Sequence, residues 1–415
     1  MKFCPECGVK LMSQKFCHEC GCNISTYLNG ASSSGFGSSN SFGNSNSSFS
    51  SPSNSNSSFS GGFDSFDFSA IQSSAQEQLD MQKKKESFYR QCEMKGTELV
   101  KYNGTDENVV IPEGVTVIKN SAFYNAKVKT ITIPKTVTKI EEISLYSSKL
   151  EQICIDSENK NYKSIDGVAY SKDGRTLVQF PTGRGGHYSM PNEVEAVKQS
   201  AISGCVNLTG LTLSNRLTKI NDFMFCGTGF STLSIPSSVT SIGTNAFEMC
   251  GSLSSITVPG NVSMVGANAF SCCGNLRSVT LSEGVVSVGN SAFFNCTSLS
   301  SVTLPSSLNS LGAFAFQQCK SLTSITIPRG VSTIKQYTFL YCDNLSSVTL
   351  SEGVRVIESE AFNNYCLKSV KIPYSVHTIS NSAFPSGGFS GSFKMYIPRG
   401  RSYGIETYGR EFIEY

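Results

Sequence analysis

Residues 242–265 read Ile242-Gly243-Thr244-Asn245-Ala246-Phe247-Glu248-Met249-Cys250-Gly251-Ser252-Leu253-Ser254-Ser255-Ile256-Thr257-Val258-Pro259-Gly260-Asn261-Val262-Ser263-Met264-Val265, and at Val265 the pattern starts again. The template returns with Ala269, Phe270, Cys273, Leu276, Val279 and Leu281, then with Ala292, Phe293, Cys296, Leu299, Val302 and Leu304. It continues through Ala315, Phe316, Cys319, Leu322, Ile325 and Ile327 to Phe339, Cys342, Leu345, Val348 and Leu350. Cys250, Cys273, Cys296, Cys319 and Cys342 are therefore spaced 23 residues apart. A fixed period of this length specifies a solenoid, because one unit cannot bury its apolar face alone and must stack on copies of itself.

Looser copies run from Val115 to Pro134, Val137 to Ile155, Val194 to Leu213, Leu217 to Pro236, Val354 to Pro373 and Val376 to Pro398. About eleven rungs at a strand spacing of ~4.8 Å predict a rod on the order of 50 Å long. The alternation in Ser-Ile-Thr-Ile-Pro predicts a short strand in each unit, and stacking of units then predicts a parallel sheet. Pro259, Pro305 and Pro328 end that strand by removing a ladder donor. The Ala-Phe-x-x-Cys stretch places apolar residues at i, i+1 and i+4, which predicts one short helical turn on the other side of the core. The ladder cysteines take inward positions and read as small buried hydrophobes.

The consensus Ile-x-x-x-Ala-Phe-x-x-Cys-x-x-Leu-x-x-Ile-x-Ile-Pro-x-x-Val resembles the BspA-like class of leucine-rich repeats, over residues 97–415. Residues 161–174, within an insertion spanning 156–188, resemble the hairpin excursion that interrupts such arrays, with Asp173-Gly174 supplying the positive φ of a tight turn. The end of the chain from Tyr396 through Ile413 resembles a terminal cap, at 399–415. The resemblance implies a protein-interaction scaffold, often on a cell surface, with no catalytic residues.

The first residues, Met1-Lys2-Phe3-Cys4-Pro5-Glu6-Cys7, contain no apolar signal-peptide core, and no stretch of 18 apolar residues predicts a membrane span. The expectation is residence in the cytoplasm. Cys4-x-x-Cys7-Gly8 and Cys17-x-x-Cys20-Gly21 form two knuckles nine residues apart within residues 1–24. Four thiolates in two Cys-x-x-Cys pairs can close a tetrahedron around one structural zinc ion, and a glycine after each pair relieves the tight turn at the metal. The alternative is a disulfide or redox pair. His18 and Cys22 stand beside the knuckles as spare donors. These residues resemble the zinc-ribbon heads that precede many unrelated bacterial domains. So small a unit has too little core to fold unaided, and the metal would supply most of its folding energy.

Residues 25–73 change abruptly to Ser, Gly, Asn and Phe, a composition that predicts a disordered linker. Phe36, Phe42, Phe49, Phe59, Phe63, Phe66 and Phe68 punctuate this stretch. A helix is predicted over 74–96: Ser74-Ala75-Gln76-Glu77 reads as a capping box, Asp80 with Lys84 and Glu86 with Arg90 as ion pairs, and Gly96 as the stop. Residues 97–104 then predict the first strand.

The outward positions of the strand carry hydroxyls in two columns, Ser255, Ser278, Ser301, Ser324 and Ser347 beside Thr257, Thr280, Thr303, Thr326 and Thr349. From 231 to 350 the charges are Glu248, Arg277, Glu283, Lys320, Arg329, Lys335 and Asp343 alone. Such a face suits a hydrogen-bonding partner, a protein or a glycan, without strong electrostatic steering. The same hydroxyls also follow from β-propensity and cross-strand pairing alone. With Lys+Arg 34 against Asp+Glu 31, the formal charge of +3 does not predict nucleic-acid binding. His18, His187 and His377 form no visible triad, and no phosphate-cradling loop occurs, so the sequence offers no enzyme. A zinc-ribbon regulator of nucleic acid that assembles through the rod, and a surface adhesin exported without a recognisable signal, are the competing functions.

Overall fold

The computed structural model describes residues 68–364, 366–385, 393–405 and 410–415. They build a parallel solenoid of about 13 coils. This exceeds the sequence estimate because strands at both ends add coils that lack the full template. Two ladders run along it. One is made of the expected longer strands, such as Ser255–Val258 on Ser278–Leu281. A second, which the consensus did not announce, joins two-residue strands: Ser241–Ile242, Met264–Val265, Ser287–Val288 and Ser310–Leu311 pair in unbroken register. The Val-x-x-Ile spacing explains it, because Val262 and Val265 both point inward and are fully buried while the two residues between them face out.

The third side departs from expectation. The Ala-Phe-x-x-Cys stretch is a run of turns and not a helical turn. Asn245 and Met249 both take positive φ, as do Asn268 and Cys272, Ser291 and Asn295, Phe314 and Gln318, and Tyr337 and Tyr341. Each left-handed residue swings an amide out of the coil. Amides of Asn245, Phe247 and Met249 bond forward to the carbonyls of Ala267, Ala269 and Ser271 at 2.9, 2.7 and 2.9 Å. Those of Glu248 and Cys250 bond back within the coil to Asn245 and Phe247. A helix would spend every amide inside its own coil; alternation satisfies the backbone and stitches neighbouring coils together.

Inside this layer the phenylalanines form one stack. Phe247, Phe270, Phe293, Phe316, Phe339, Phe362 and Phe384 follow one another with centroids 4.8–5.4 Å apart and planes within 9° of parallel. The thiols beside them also do more than fill space. Cys250, Cys273, Cys296, Cys319 and Cys342 donate to the carbonyls of Phe225, Phe247, Phe270, Phe293 and Phe316, two rungs' chemistry tied together at 3.1–3.2 Å. Burial pushes the Cys296 thiol up to about 12, so it stays protonated and able to donate. The ladder cysteines are free thiols.

Adjacent coils are also matched at the corner after the longer strand. Where one coil carries Glu-Gly, the next carries Ser or Thr. Glu283 accepts the amides of Ser306 and Ser307 at 2.8 and 3.2 Å, while Ser307 Oγ accepts from Gly284 N and donates to the Val285 carbonyl. Glu352 and Gly353 repeat this with Tyr374 and Ser375. The Ser306 amide, foremost, holds the Glu283 carboxyl below the usual carboxylate range.

The ends are closed by specific side chains. Helix α1 spans Phe68–Arg90, not 74–96, and the strand Cys92–Lys95 follows it. Gly96, with φ 61°, turns that strand onto Glu98–Tyr102 instead of capping a helix. Ser74 consequently lies inside the helix, and Asp80 meets Lys83 at 4.0 Å where Lys84 was expected. Phe88, Tyr102 and Phe123 cover the first coil as a ring stack. At the other end Arg410, from the last strand Arg410–Glu414, donates to the carbonyls of Asn381 and Phe384 at 2.8 Å, closing the turn layer.

The insertion does two jobs. Its strands Tyr162–Ile165 and Val168–Ser171 form the hairpin, whose two-residue turn is Asp166-Gly167 with φ 49° and 73°. Gly174, in the expected turn, also has positive φ, at 82°, and leads into Thr176–Gln179. That third strand rejoins the short ladder by pairing with Ala196–Val197. The hairpin sheet thus separates two buried clusters, with Val168, Tyr170 and Leu177 in one and Tyr162, Ala169 and Val178 in the other.

Candidate binding face of the sheet

The two hydroxyl columns are produced by the strand alternation. Ile256, Val258, Val279, Leu281, Ile325 and Ile327 fill the core, so their neighbours must face solvent. Ser255, Ser278 and Ser301 lie in direct register, and so do Thr257, Thr280 and Thr303. Ser324 pairs with Ser347 and Thr326 with Thr349. Ser278 is half-buried and the other nine are exposed. Ladder pairing is not continuous from Ser301–Thr303 to Ser324–Ile327, so the lattice comes as a block of three strands and a block of two.

Among the described residues, none of these ten hydroxyls has a side-chain hydrogen bond within the protein. This separates them from the hydroxyls at the corners, such as Ser307 and Ser375, whose bonds are spent on the neighbouring coil. The face between residues 255 and 349 has no charge in either column. Charge returns at its C-terminal end, where Lys394 meets Glu411 at 3.7 Å and Lys371 Nζ lies 3.9 Å from the Tyr415 ring centroid. At its N-terminal end His187 meets Thr212 at 3.1 Å, beside the insertion. Arg184 anchors that insertion, pairing with Asp166 at 2.6 Å and lying over the Tyr188 ring at 5.3 Å.

Cys4, Cys7, Cys17 and Cys20, and the linker up to residue 67, lie outside the described residues. Among the described residues no three His, Cys, Asp or Glu side chains gather as a metal site, and no helix is long and apolar enough to cross a membrane. His377 Nδ1 contacts the Thr378 hydroxyl at 3.0 Å.

Comparison with known families matches residues 100–183, 186–289 and 263–387 to the BspA type leucine rich repeat region, in six copies. Comparison with curated proteins gives no match. Among solved structures, a leucine-rich repeat protein from Eubacterium ventriosum is 26% identical with a TM-score of 0.41, over 67% of this chain and 64% of that one. The chain thus spans just under two thirds of that relative's length. A leucine-rich repeat protein from Bacteroides ovatus is 24% identical, TM-score 0.42, over 77% and 94% of the two chains. A leucine rich cell surface protein from Faecalibacterium prausnitzii is 23% identical, TM-score 0.41, over 70% and 91%. With the repeat consensus, the stacked coils and a family match over most of its length, the chain belongs to the BspA-type leucine-rich repeat family.

Proposed function

We propose that the protein is a non-enzymatic interaction scaffold whose rod engages a macromolecule, a protein or a glycan, along the hydroxyl columns. The observation that supports this most is the contrast between spent and unspent hydroxyls: corner serines bond to the next coil, while the ten face hydroxyls keep their full donor and acceptor capacity. Replacing Thr257, Thr280 and Thr303 together with lysine places three ammonium groups on an uncharged face. Partner capture from native lysate by the full chain should then fall at least tenfold, with the melting curve unchanged. Undiminished capture by the folded variant rules out this face.

The amino-terminal cysteines belong to the same proposal. Cys4, Cys7, Cys17 and Cys20 hold one structural zinc ion, a closed four-thiolate site that carries a second contact surface and performs no catalysis. Thiolate ligation needs reduced cysteines, which supports residence in a reducing compartment. Purified chain should contain about one zinc per molecule by elemental analysis, and the Cys7→Ser variant essentially none. Stoichiometric disulfide in place of metal would instead establish the redox alternative.

A further inference from the structure

The final described strand, Arg410–Glu414, carries the sheet to an edge. It pairs in parallel with Phe393–Ile397 on one side, and no described strand pairs with it on the other. Tyr415 fixes which main-chain groups face which way: its amide donates to the Ile397 carbonyl at 3.0 Å, and its carbonyl accepts from the Arg399 amide at 3.2 Å. By strand alternation Glu411 and Ile413 also turn their main chain towards that neighbour, while Arg410, Phe412 and Glu414 turn theirs to the outer edge. There the amides and carbonyls of Phe412 and Glu414 have no hydrogen bond among the described residues. The side chains agree. Met395 is fully buried beneath this strand, but Phe412, Tyr403 and Ile405, which pack on the same core, stay half-buried with no described coil stacked on them.

An unpaired strand edge over a half-covered core is a template for another strand. The sequence Arg410-Glu411-Phe412-Ile413-Glu414 is complementary to itself when run antiparallel. Because the outward bonding groups sit at 410, 412 and 414, a twofold pairing must set these positions against one another. In the register centred on Phe412 all five residues pair, and Arg410 lies opposite the partner's Glu414 at both ends. The neighbouring registers are worse. One sets Glu411 directly against its own copy, like charge on like charge; the other places Phe412 against Glu414 and leaves Arg410 beyond the pair.

We propose that Arg410–Glu414 pairs antiparallel with the same strand of a second copy of the chain, joining two rods end to end about a twofold axis at Phe412. Phe412 exchanges both main-chain bonds with its counterpart, and the two rings cover the cores on either side of the axis. This is the isologous arrangement of a closed dimer. The axis stands perpendicular to the sheet, so the hydroxyl columns of both rods lie on one side of a single surface. A macromolecule with repeated binding groups is then held at two places, which strengthens capture without any new contact.

Sedimentation of the full chain tests it. The protein should show a monomer–dimer equilibrium. Glu414→Arg, which opposes the partner's Arg410, and Phe412→Asp, which sets two carboxylates at the axis, should each raise the dissociation constant at least tenfold. Phe412→Leu should change it only a few-fold. Arg410 is left in place because it closes the turn layer. Hydrogen exchange separates lost pairing from an unfolded last coil: in the unsubstituted chain, residues 410–414 should gain protection as concentration rises, and in the Glu414→Arg variant residues 393–397 should keep theirs. A chain that is monomeric at every concentration, a dimer that neither charged variant weakens, or one formed without added protection at 410–414 overturns the proposal.

Discussion

The Phe293→Ala variant is expected to lose about 3–5 kcal/mol of unfolding free energy, the range for deleting a fully buried ring from a core that cannot collapse around it. Phe293 is fully buried and sits mid-stack, 5.2 Å from Phe270 and 5.1 Å from Phe316, with ring planes 2° and 4° from parallel. Neither neighbour can close the gap. Their coils are held at fixed spacing by the bonds Phe270 N to Ala292 O and Phe293 N to Ala315 O, at 2.7 and 2.8 Å. In a solenoid each coil contacts only its neighbours, so the loss acts locally and lets the array open at that point. Hydrogen exchange should show faster opening centred on residues 270–316, and denaturant unfolding should show the loss. Phe314→Ala is the comparison: its ring stacks on Tyr337 at 4.9 Å but is only half-buried, so its cost should be clearly smaller. Equal losses at 293 and 314 would mean that the buried stack is not what holds the coils.

The core was legible because burial follows the period: every Ala, Phe and Cys of the Ala-Phe-x-x-Cys stretch, and every Leu three residues after that Cys, is buried in the central coils. The hydroxyl columns were legible for the same reason, as the outward half of a two-residue alternation. What the period concealed is conformation. Ala-Phe-x-x-Cys has the spacing of a helical turn, but its left-handed positions hold Phe314, Tyr337 and Ile143 as readily as Asn245 and Asn268. Those side chains have no intrinsic preference for positive φ. The bond to the next coil imposes it, and no single unit contains that information.

Gly96 was misread because glycine at positive φ serves a helix stop and a hairpin turn equally well, and only pairing across Cys92–Lys95 and Glu98–Tyr102 distinguishes them. The ladder cysteines show the reverse. They were legible as core, but their donation to a phenylalanine carbonyl 26 residues earlier crosses the coil boundary. The Glu-Gly and Ser/Thr matching at the corners was present in the sequence, in Glu283-Gly284 followed by Ser306-Ser307, and could have been read by comparing adjacent units instead of averaging them.

Comparing adjacent units also identifies where coils come closest, and Gly289→Ala is expected to cost about 1–3 kcal/mol by overpacking there. A methyl at Gly289 would lie 2.6 Å from Ala267 N, 2.7 Å from Gly266 C and 2.9 Å from Ala267 Cα. All three are backbone atoms of the preceding coil, so no rotamer change relieves the clash. Relief requires parting the coils beside Ser287–Val288, where the short ladder pairs with Met264–Val265 and the Gly289 amide bonds to the Val265 carbonyl at 2.9 Å. The strain is steric and not conformational, since Gly289 does not take positive φ. Gly251→Ala separates the two effects: there the nearest backbone atom is 4.0 Å away and φ is likewise not positive. That change should stay within about 0.5 kcal/mol. Paired thermal melts decide the matter. If both alanines are tolerated alike, the coils have slack beside Gly289, and the close approach of backbones does not set the spacing of the rod.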